Sequence, residues 1–127
     1  MALSNSSRYG AAFAAGAIAY GATLYQFLTY SERNNLGPAH WLALAALTLV
    51  IGYLATFGVK SSRFRVVHCM LAGIFVAHML VIAIDVREDP TNHNLLPFEF
   101  VIIGFFALPG YLGAKIAQWM DRSKQAG

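Results

Sequence analysis

The chain has 127 residues, of which 57% are hydrophobic and only 12% are charged, and its formal net charge is +3. A water-soluble domain of this length buries too small a fraction of its surface to hide so much apolar material, which points to a membrane protein. The basic residues form no run or patch interleaved with aromatic residues, and there is a single cysteine, so nucleic-acid binding and an internal disulfide are excluded.

Four apolar stretches dominate the sequence, at residues 9–30, 39–59, 66–86 and 97–119. Each holds roughly 20 residues, and a helix of that length rises about 30 Å, the thickness of the hydrocarbon core of a bilayer. The connecting segments are short and polar. We therefore predict an all-α, polytopic integral membrane protein whose residues 1–127 form a single four-transmembrane-helix bundle.

Small residues are concentrated in the first and fourth predicted helices. Ala12 with Gly16 in the first, and Gly110 with Ala114 in the fourth, repeat at four-residue spacing. Small residues at this spacing let helix backbones approach closely within lipid. We expect both helices to make close contacts with neighbouring helices.

Prolines and one tryptophan predict where the later helices begin and bend. Pro38 opens the second helix at a position where its missing N–H costs nothing, and Trp41 follows as an anchor at the membrane interface. Asp89 and Pro90 predict an N-cap and the first residue of a short helical turn. Pro109 lies inside the fourth stretch and is expected to kink it, because proline removes a backbone hydrogen bond.

Charge predicts the orientation, because the connecting segments alternate in sign. One side holds a single acid, Asp121, and seven of the nine basic residues: Arg8, Lys60, Arg63, Arg65, Lys115, Arg122 and Lys124. The other side holds the remaining five acids. Because basic residues remain on the cytoplasmic side, we predict that both termini and the segment 60–65 are cytoplasmic, that segments 31–38 and 87–96 lie outside, and that the protein resides in a bacterial inner membrane.

The ionisable residues near the outer side form the candidate site. His78 and Asp85 are seven residues apart and so share one face of the third helix. Ionisable side chains within a membrane span are costly and are functional by default. Together with Asp89, His93 and Glu99 they offer ligands suited to Zn, Cu, Mn or Fe, or a cluster that exchanges protons.

The same residues also have purely structural explanations. Asp89 is explained as a helix cap, and Glu99 as an acid favoured by the positive end of a helix dipole. In this interpretation Asp85 lies at the boundary between the membrane and water, and His93 is an exposed residue of a polar segment. A hydrogen bond to a neighbouring helix would satisfy His78.

His40 and His78 are candidates for holding a haem or a related pigment. Both lie in the outer half of the predicted bundle. Two histidines that face each other from different helices are the usual sign of a b-type haem.

No catalytic motif is recognisable in the sequence, so an enzyme is not favoured. The function favoured by the sequence is a structural or accessory subunit that packs against itself or against a larger membrane complex within the lipid bilayer. The alternative is a metal- or proton-binding site on the outer face of a small transporter or membrane oxidoreductase. An ion pore ranks last, because three of the four spans are almost bare of ionisable residues in mid-membrane.

Overall fold

A computed structural model describes residues 4–60, 62–93 and 96–126, without the side chain of Leu96. Ser61, Asn94 and Leu95, which belong to the predicted segments 60–65 and 87–96, lie outside the described residues. The described residues form helices and turns without any strand, which confirms the all-α prediction. The helices are α1 (Asn5–Tyr20, continued by a π-helical segment Gly21–Tyr25), α2 (Tyr30–Asn34), α3 (Pro38–Thr56), α4 (Arg63–Glu88), α5 (Leu96–Ala107) and α6 (Pro109–Ala126).

Three helical stretches are long and apolar enough to cross a membrane: Pro38–Thr56, Arg63–Glu88 and Pro97–Ala126. They correspond to the second, third and fourth apolar stretches of the sequence. The first stretch is helical only to Tyr25, although its apolar residues continue further. A crossing by this first helix, and with it the count of four, remains a prediction.

The first helix ends where the backbone turns left-handed. Gln26 and Phe27 both have positive φ angles, of 48° and 56°, a conformation that L-residues seldom adopt and that cannot continue a right-handed helix. The amide of the Gln26 side chain donates to the carbonyl oxygen of Thr23 at 2.6 Å. After this reversal the chain leads into α2, whose Arg33 contacts Asp85 of α4.

Glycines hold α1 against α4. A Cβ atom added to Gly16 would lie 2.2 Å from the carbonyl oxygen of Met70, and one added to Gly73 would lie 2.0 Å from that of Phe13. The two backbones therefore touch directly, as the small residues of the first stretch predict. Both helices run in the same direction, so the C-terminal part of α1 lies beside the C-terminal half of α4.

A second pair, α3 with α6, packs in the same way. A Cβ atom on Gly52 would lie 2.0 Å from the carbonyl oxygen of Gly110, and one on Gly113 would lie 2.1 Å from that of Leu49. The buried small residues Ala114 and Ala117 continue this face of α6. The packing role predicted for the small residues of the fourth stretch is confirmed.

At Pro109, where the sequence predicts a kink, the structure has a break between two helices. The helix α5 ends at Ala107, and α6 begins at Pro109 after the turn residue Leu108. The N–H of Leu108 donates to the carbonyl of Phe105, and the N–H of Tyr111 to that of Leu108. The fourth stretch is thus two helical pieces rather than one straight rod.

Charge separates the two ends of the bundle. At one end, here called the basic end, Arg8 donates to the carbonyls of Ala55 and Phe57. The other basic residues of this end line the grooves around the start of α4 and the end of α6: Lys60, Arg63, Arg65, Lys115, Arg122 and Lys124. The opposite end, here called the acidic end, carries Glu32, Asp85, Glu88, Asp89 and Glu99. Which end faces the cytoplasm remains a prediction.

Candidate functional site

The buried face of α4 carries both ionisable residues that the sequence singled out. His78 and Asp85 are 5% and 4% exposed. Their seven-residue spacing places them on the same face as the apolar core residues of this helix, which are Val67, Met70, Ile74 and Val81. The prediction of a shared face therefore holds, and it directs both polar groups inward at the acidic end.

His78 is held on one side and has no partner on the other. Its Nδ1 atom lies 2.6 Å from the hydroxyl of Tyr20, which α1 supplies. The rings of Tyr20 and Phe100 pack against it edge-on, with centroids at 5.5 Å and 5.0 Å. Its Nε2 atom is buried and finds no hydrogen-bond partner among the described residues. The imidazole is thus oriented with one ring nitrogen left available.

His93 sits between two carboxylates. It follows α4 in a left-handed conformation, with φ of 63°, and its backbone N–H donates to the hydroxyl of Tyr30. The Nε2 atom lies 2.7 Å from Asp85 Oδ2, and the Nδ1 atom lies 2.6 Å from Glu99 Oε1. Because a neutral imidazole donates through only one nitrogen, the two contacts together require an imidazolium or a protonated carboxyl.

Arg33 enters the same cluster from α2. Its Nη2 atom pairs with Asp85 Oδ2, and its guanidinium lies 5.2 Å from the ring centroid of Tyr25. The short helix α2 begins with a capping box in which Thr29 and Glu32 satisfy each other's backbone N–H groups. The Nη1 atom of Arg33 is buried without a partner in the described parts of the chain.

These side chains surround a cavity of about 210 Å³ at the acidic end. One ligand atom from each of His78, His93 and Glu99 lies within 4.8 Å of the other two. The Oε2 atom of Glu99, like His78 Nε2, is buried with no partner that the described residues supply. The cavity therefore brings together two imidazoles and a carboxylate, the donor set of many transition-metal sites.

Asp89 lies apart from this cluster. Its residue is exposed, and its carboxylate accepts from the N–H and the hydroxyl of Thr91 at 3.0 Å and 2.8 Å. These hydrogen bonds lower the pKa of Asp89. The residue ends α4 and caps the turn that follows, as its predicted capping role requires: its side chain accepts from the N–H two residues on, and its carbonyl accepts from the N–H of Asn92. It does not extend the donor set.

His40 lies apart as well. Its Nδ1 atom lies 2.8 Å from the side-chain nitrogen of Gln26, and it is not among the residues that line the cavity. The described residues thus do not present His40 and His78 as a facing pair. The cavity is also smaller than the roughly 300 Å³ from which sites for larger ligands begin, so a haem held by these two histidines gains no support.

Three residues of the cluster have no role in the sequence-based prediction. The sequence pattern places Arg33 in the predicted outer segment and Tyr20 and Tyr30 within the first apolar stretch, and it assigns none of them to the site. Arg33 is the one basic residue of the predicted segment 31–38, on the side of the bundle that carries five acids. Because a buried carboxylate such as Asp85 requires a hydrogen-bonding or charged partner, this pattern is a usable indication that Arg33 pairs with one of these acids. Nothing in the sequence signals that Tyr20 reaches His78.

Comparison with known proteins adds no relative. No protein-family model, no curated protein and no solved structure matches this chain.

Proposed function

We propose that this protein is a membrane protein that binds one divalent transition-metal cation, such as Zn²⁺, in the cavity at the acidic end. The ligands are His78, His93 and Glu99. The observation that carries this proposal is that three donor atoms lie within 4.8 Å of one another. Two of the three side chains, those of His78 and Glu99, also bury an atom that has no hydrogen-bond partner among the described residues. A buried polar atom left without a partner costs free energy, and a metal ion would supply partners to both side chains.

The partners of the two histidines support the proposal. A histidine that ligates a metal usually bonds through its other ring nitrogen to a second group, which fixes the ring. Here Tyr20 holds Nδ1 of His78, and Asp85 holds Nε2 of His93. The nitrogens left to face the ion are His78 Nε2 and His93 Nδ1. In the absence of metal, His93 Nδ1 and Glu99 share a proton across their 2.6 Å contact, and this proton would be released if an ion took its place.

The membrane setting strengthens the same argument. An ionisable cluster in an apolar bundle is retained at a cost in free energy, and such clusters mark ion, proton or substrate sites. His78 and Asp85 lie within one of the stretches that are apolar enough to cross a membrane. We propose that the site serves a small transporter or a membrane oxidoreductase, with the acidic end facing outside.

Metal analysis of the purified protein tests the proposal. Protein in mild detergent is stripped with a chelator, reloaded with Zn²⁺ or Co²⁺, and analysed for bound metal and for Co²⁺ absorption. We expect one ion per chain and a loss of affinity of at least about 100-fold in His78→Ala, since one of three protein ligands is removed. The matched control is His68→Ala, because His68 contacts Tyr111 and lines a groove of the basic end. Absence of binding, or equal losses in both variants, would contradict the proposal.

The accessory-subunit role is a second proposal, favoured by small residues that the chain itself leaves uncovered. Gly10 and Ala14 are exposed four residues apart on α1. This spacing would let a helix of another subunit, or of a second copy of the chain, approach closely within lipid. Purification in mild detergent should then recover a homo-oligomer or a stoichiometric partner, whereas a clean monomer would count against this role.

A further inference from the structure

We infer that the cavity binds a short-chain monocarboxylate together with the metal ion, with Arg33 as the second anchor of that anion. This inference depends on the proposed metal site and names the class of its co-ligand. The metal ion cannot accept a hydrogen bond from the buried Nη1 atom of Arg33, which has no partner among the described residues.

The unpartnered atom of Arg33 requires an acceptor. Its side chain is only 9% exposed and lines the cavity, and its Nη1 atom has no partner in the described ranges. A guanidinium donates hydrogen bonds and accepts none. A cation bound by His78 and Glu99 therefore leaves Nη1 as it is, whereas an anion in the same cavity would accept from it.

The coordination number points to the same ligand. Three protein side chains leave at least one position open on a metal such as Zn²⁺, and water or a substrate usually fills it. The three ligand side chains and Arg33 all line one cavity. One carboxylate has two oxygens, so it can bind the metal with one and accept from Arg33 with the other.

Charge sets the valence of the anion. A divalent ion and Arg33 bring three positive charges, and the neutral histidines add none. Asp85 and Glu99 bring two negative charges. One positive charge remains in a buried site, where an uncompensated charge is costly. A monovalent anion brings the site to neutrality.

The lining of the cavity favours an organic anion over an inorganic one. Nearly half of the lining residues are apolar, and these are Leu24, Leu36, Trp41, Val81, Ile102 and Ile103. They would receive a short hydrocarbon chain while the carboxylate faces Arg33 and the metal. A volume of about 210 Å³ exceeds the roughly 30 Å³ share of one water molecule several-fold, so it admits an acid of a few carbon atoms.

Titration of the Co²⁺-loaded protein with anions tests the inference. Acetate, propionate and butyrate are added and the visible absorption of Co²⁺ is followed, with chloride, bicarbonate and phosphate as comparison anions. We expect a saturable spectral change with the carboxylates that grows tighter from acetate to propionate. We also expect each carboxylate to raise metal affinity about tenfold, since binding linkage is reciprocal.

Two variants localise the effect. Arg33→Gln, measured at saturating Co²⁺, should lose at least about tenfold in carboxylate affinity, as expected when a charged hydrogen bond is removed. Its control is Arg87→Gln, since Arg87 is exposed at the same end and does not line the cavity. Because Arg33 also pairs with Asp85, Ile102→Trp provides a second variant, which fills the cavity without touching a charge and should abolish the carboxylate response alone.

The outcomes separate the two proposals. If the protein binds no metal, the proposed function fails and the inference fails with it. If metal binds and no carboxylate changes the spectrum, only the inference is overturned. An equal response to chloride, bicarbonate and propionate, or an unchanged response in Ile102→Trp, would also overturn it.

Discussion

The two ends of the bundle use similar charged residues for different purposes. At the basic end, Arg8 donates to the carbonyls of Ala55 and Phe57. There Arg63 donates to the carbonyl of Thr56 and to Asp121. These cations satisfy carbonyl groups at the end of α3 that no further helical turn can satisfy. Their role is structural.

The acidic end differs in burial and in what is left unsatisfied. Asp85 and His93 are 4% and 8% exposed, and atoms of His78, Arg33 and Glu99 have no partner within the described residues. Close proximity of charges is common to both ends. Buried polar atoms without a hydrogen-bond partner distinguish a candidate binding site from helix capping, because native proteins provide hydrogen-bond partners for almost all buried polar atoms.

The sharpest way to break this comparison is to neutralise one acid at each end. Asp85→Asn should lower the free energy of unfolding by about 3 kcal/mol, because Arg33 is left as a buried charge without its partner. It should also weaken metal binding about 10- to 100-fold, because Asp85 fixes the ring of His93. Unfolding of the detergent-solubilised protein and metal competition measure the two effects.

The matched change at the basic end is Asp121→Asn. Asp121 pairs with Arg63, and both side chains are partly exposed. The expected loss is about 1 kcal/mol, because the new amide can still accept from the N–H of Gly58 and Arg63 keeps its hydrogen bond to the carbonyl of Thr56, with metal affinity unchanged. Equal losses at the two ends would show that the acidic end is merely another set of helix caps.

The next test concerns the contact that lets α1 supply Tyr20 to the site. In Gly73→Ala the new methyl group would lie 2.0 Å from the carbonyl oxygen of Phe13, so α1 must move away from α4. We expect a loss of about 1 to 3 kcal/mol in the free energy of unfolding, as for an overpacked core, and weaker metal binding.

The control for this variant is Gly10→Ala. Gly10 also lies in α1, but a Cβ atom there meets nothing within 4 Å. Alanine is the better helix former by about 1 kcal/mol, so stability should stay the same or rise. A loss similar to that of Gly73→Ala would mean that the helix contact is not responsible.

The smallest expected effect lies in the capping box of α2, the helix that carries Arg33. Hydrogen bonds from the side chain and the backbone N–H of Thr29 lower the pKa of Glu32. A carboxyl whose pKa is lowered by folding stabilises the fold at pH values above its unfolded pKa, and this contribution is lost as the pH falls below about 4. Thr29→Val removes the hydroxyl and keeps the backbone N–H, so it should reduce this acid-sensitive step. Unfolding measured between pH 3 and 7 would contradict the prediction if both proteins gave the same profile.

The sequence determined the features that depend on neighbours along the chain. Apolar length predicted four crossing stretches, of which three are helices long and apolar enough to cross a membrane, and the position of Pro109 predicted a kink where the structure has the break before α6. The seven-residue interval between His78 and Asp85 was enough to place both on one face of α4. Small residues at four-residue spacing predicted that α1 and α6 would make close contacts with other helices.

The tertiary structure decided which polar groups meet. Arg33 and Asp85 are 52 residues apart, and Tyr20 and His78 are 58 apart, so no local periodicity relates them. Their contacts depend on the left-handed turn at Gln26 and on the glycine contacts between α1 and α4. The carboxylate of Asp89 accepts hydrogen bonds from Thr91 and so lies apart from the site. Helices form from local hydrogen bonds and apolar length, whereas a binding site forms from side chains that only packing brings together.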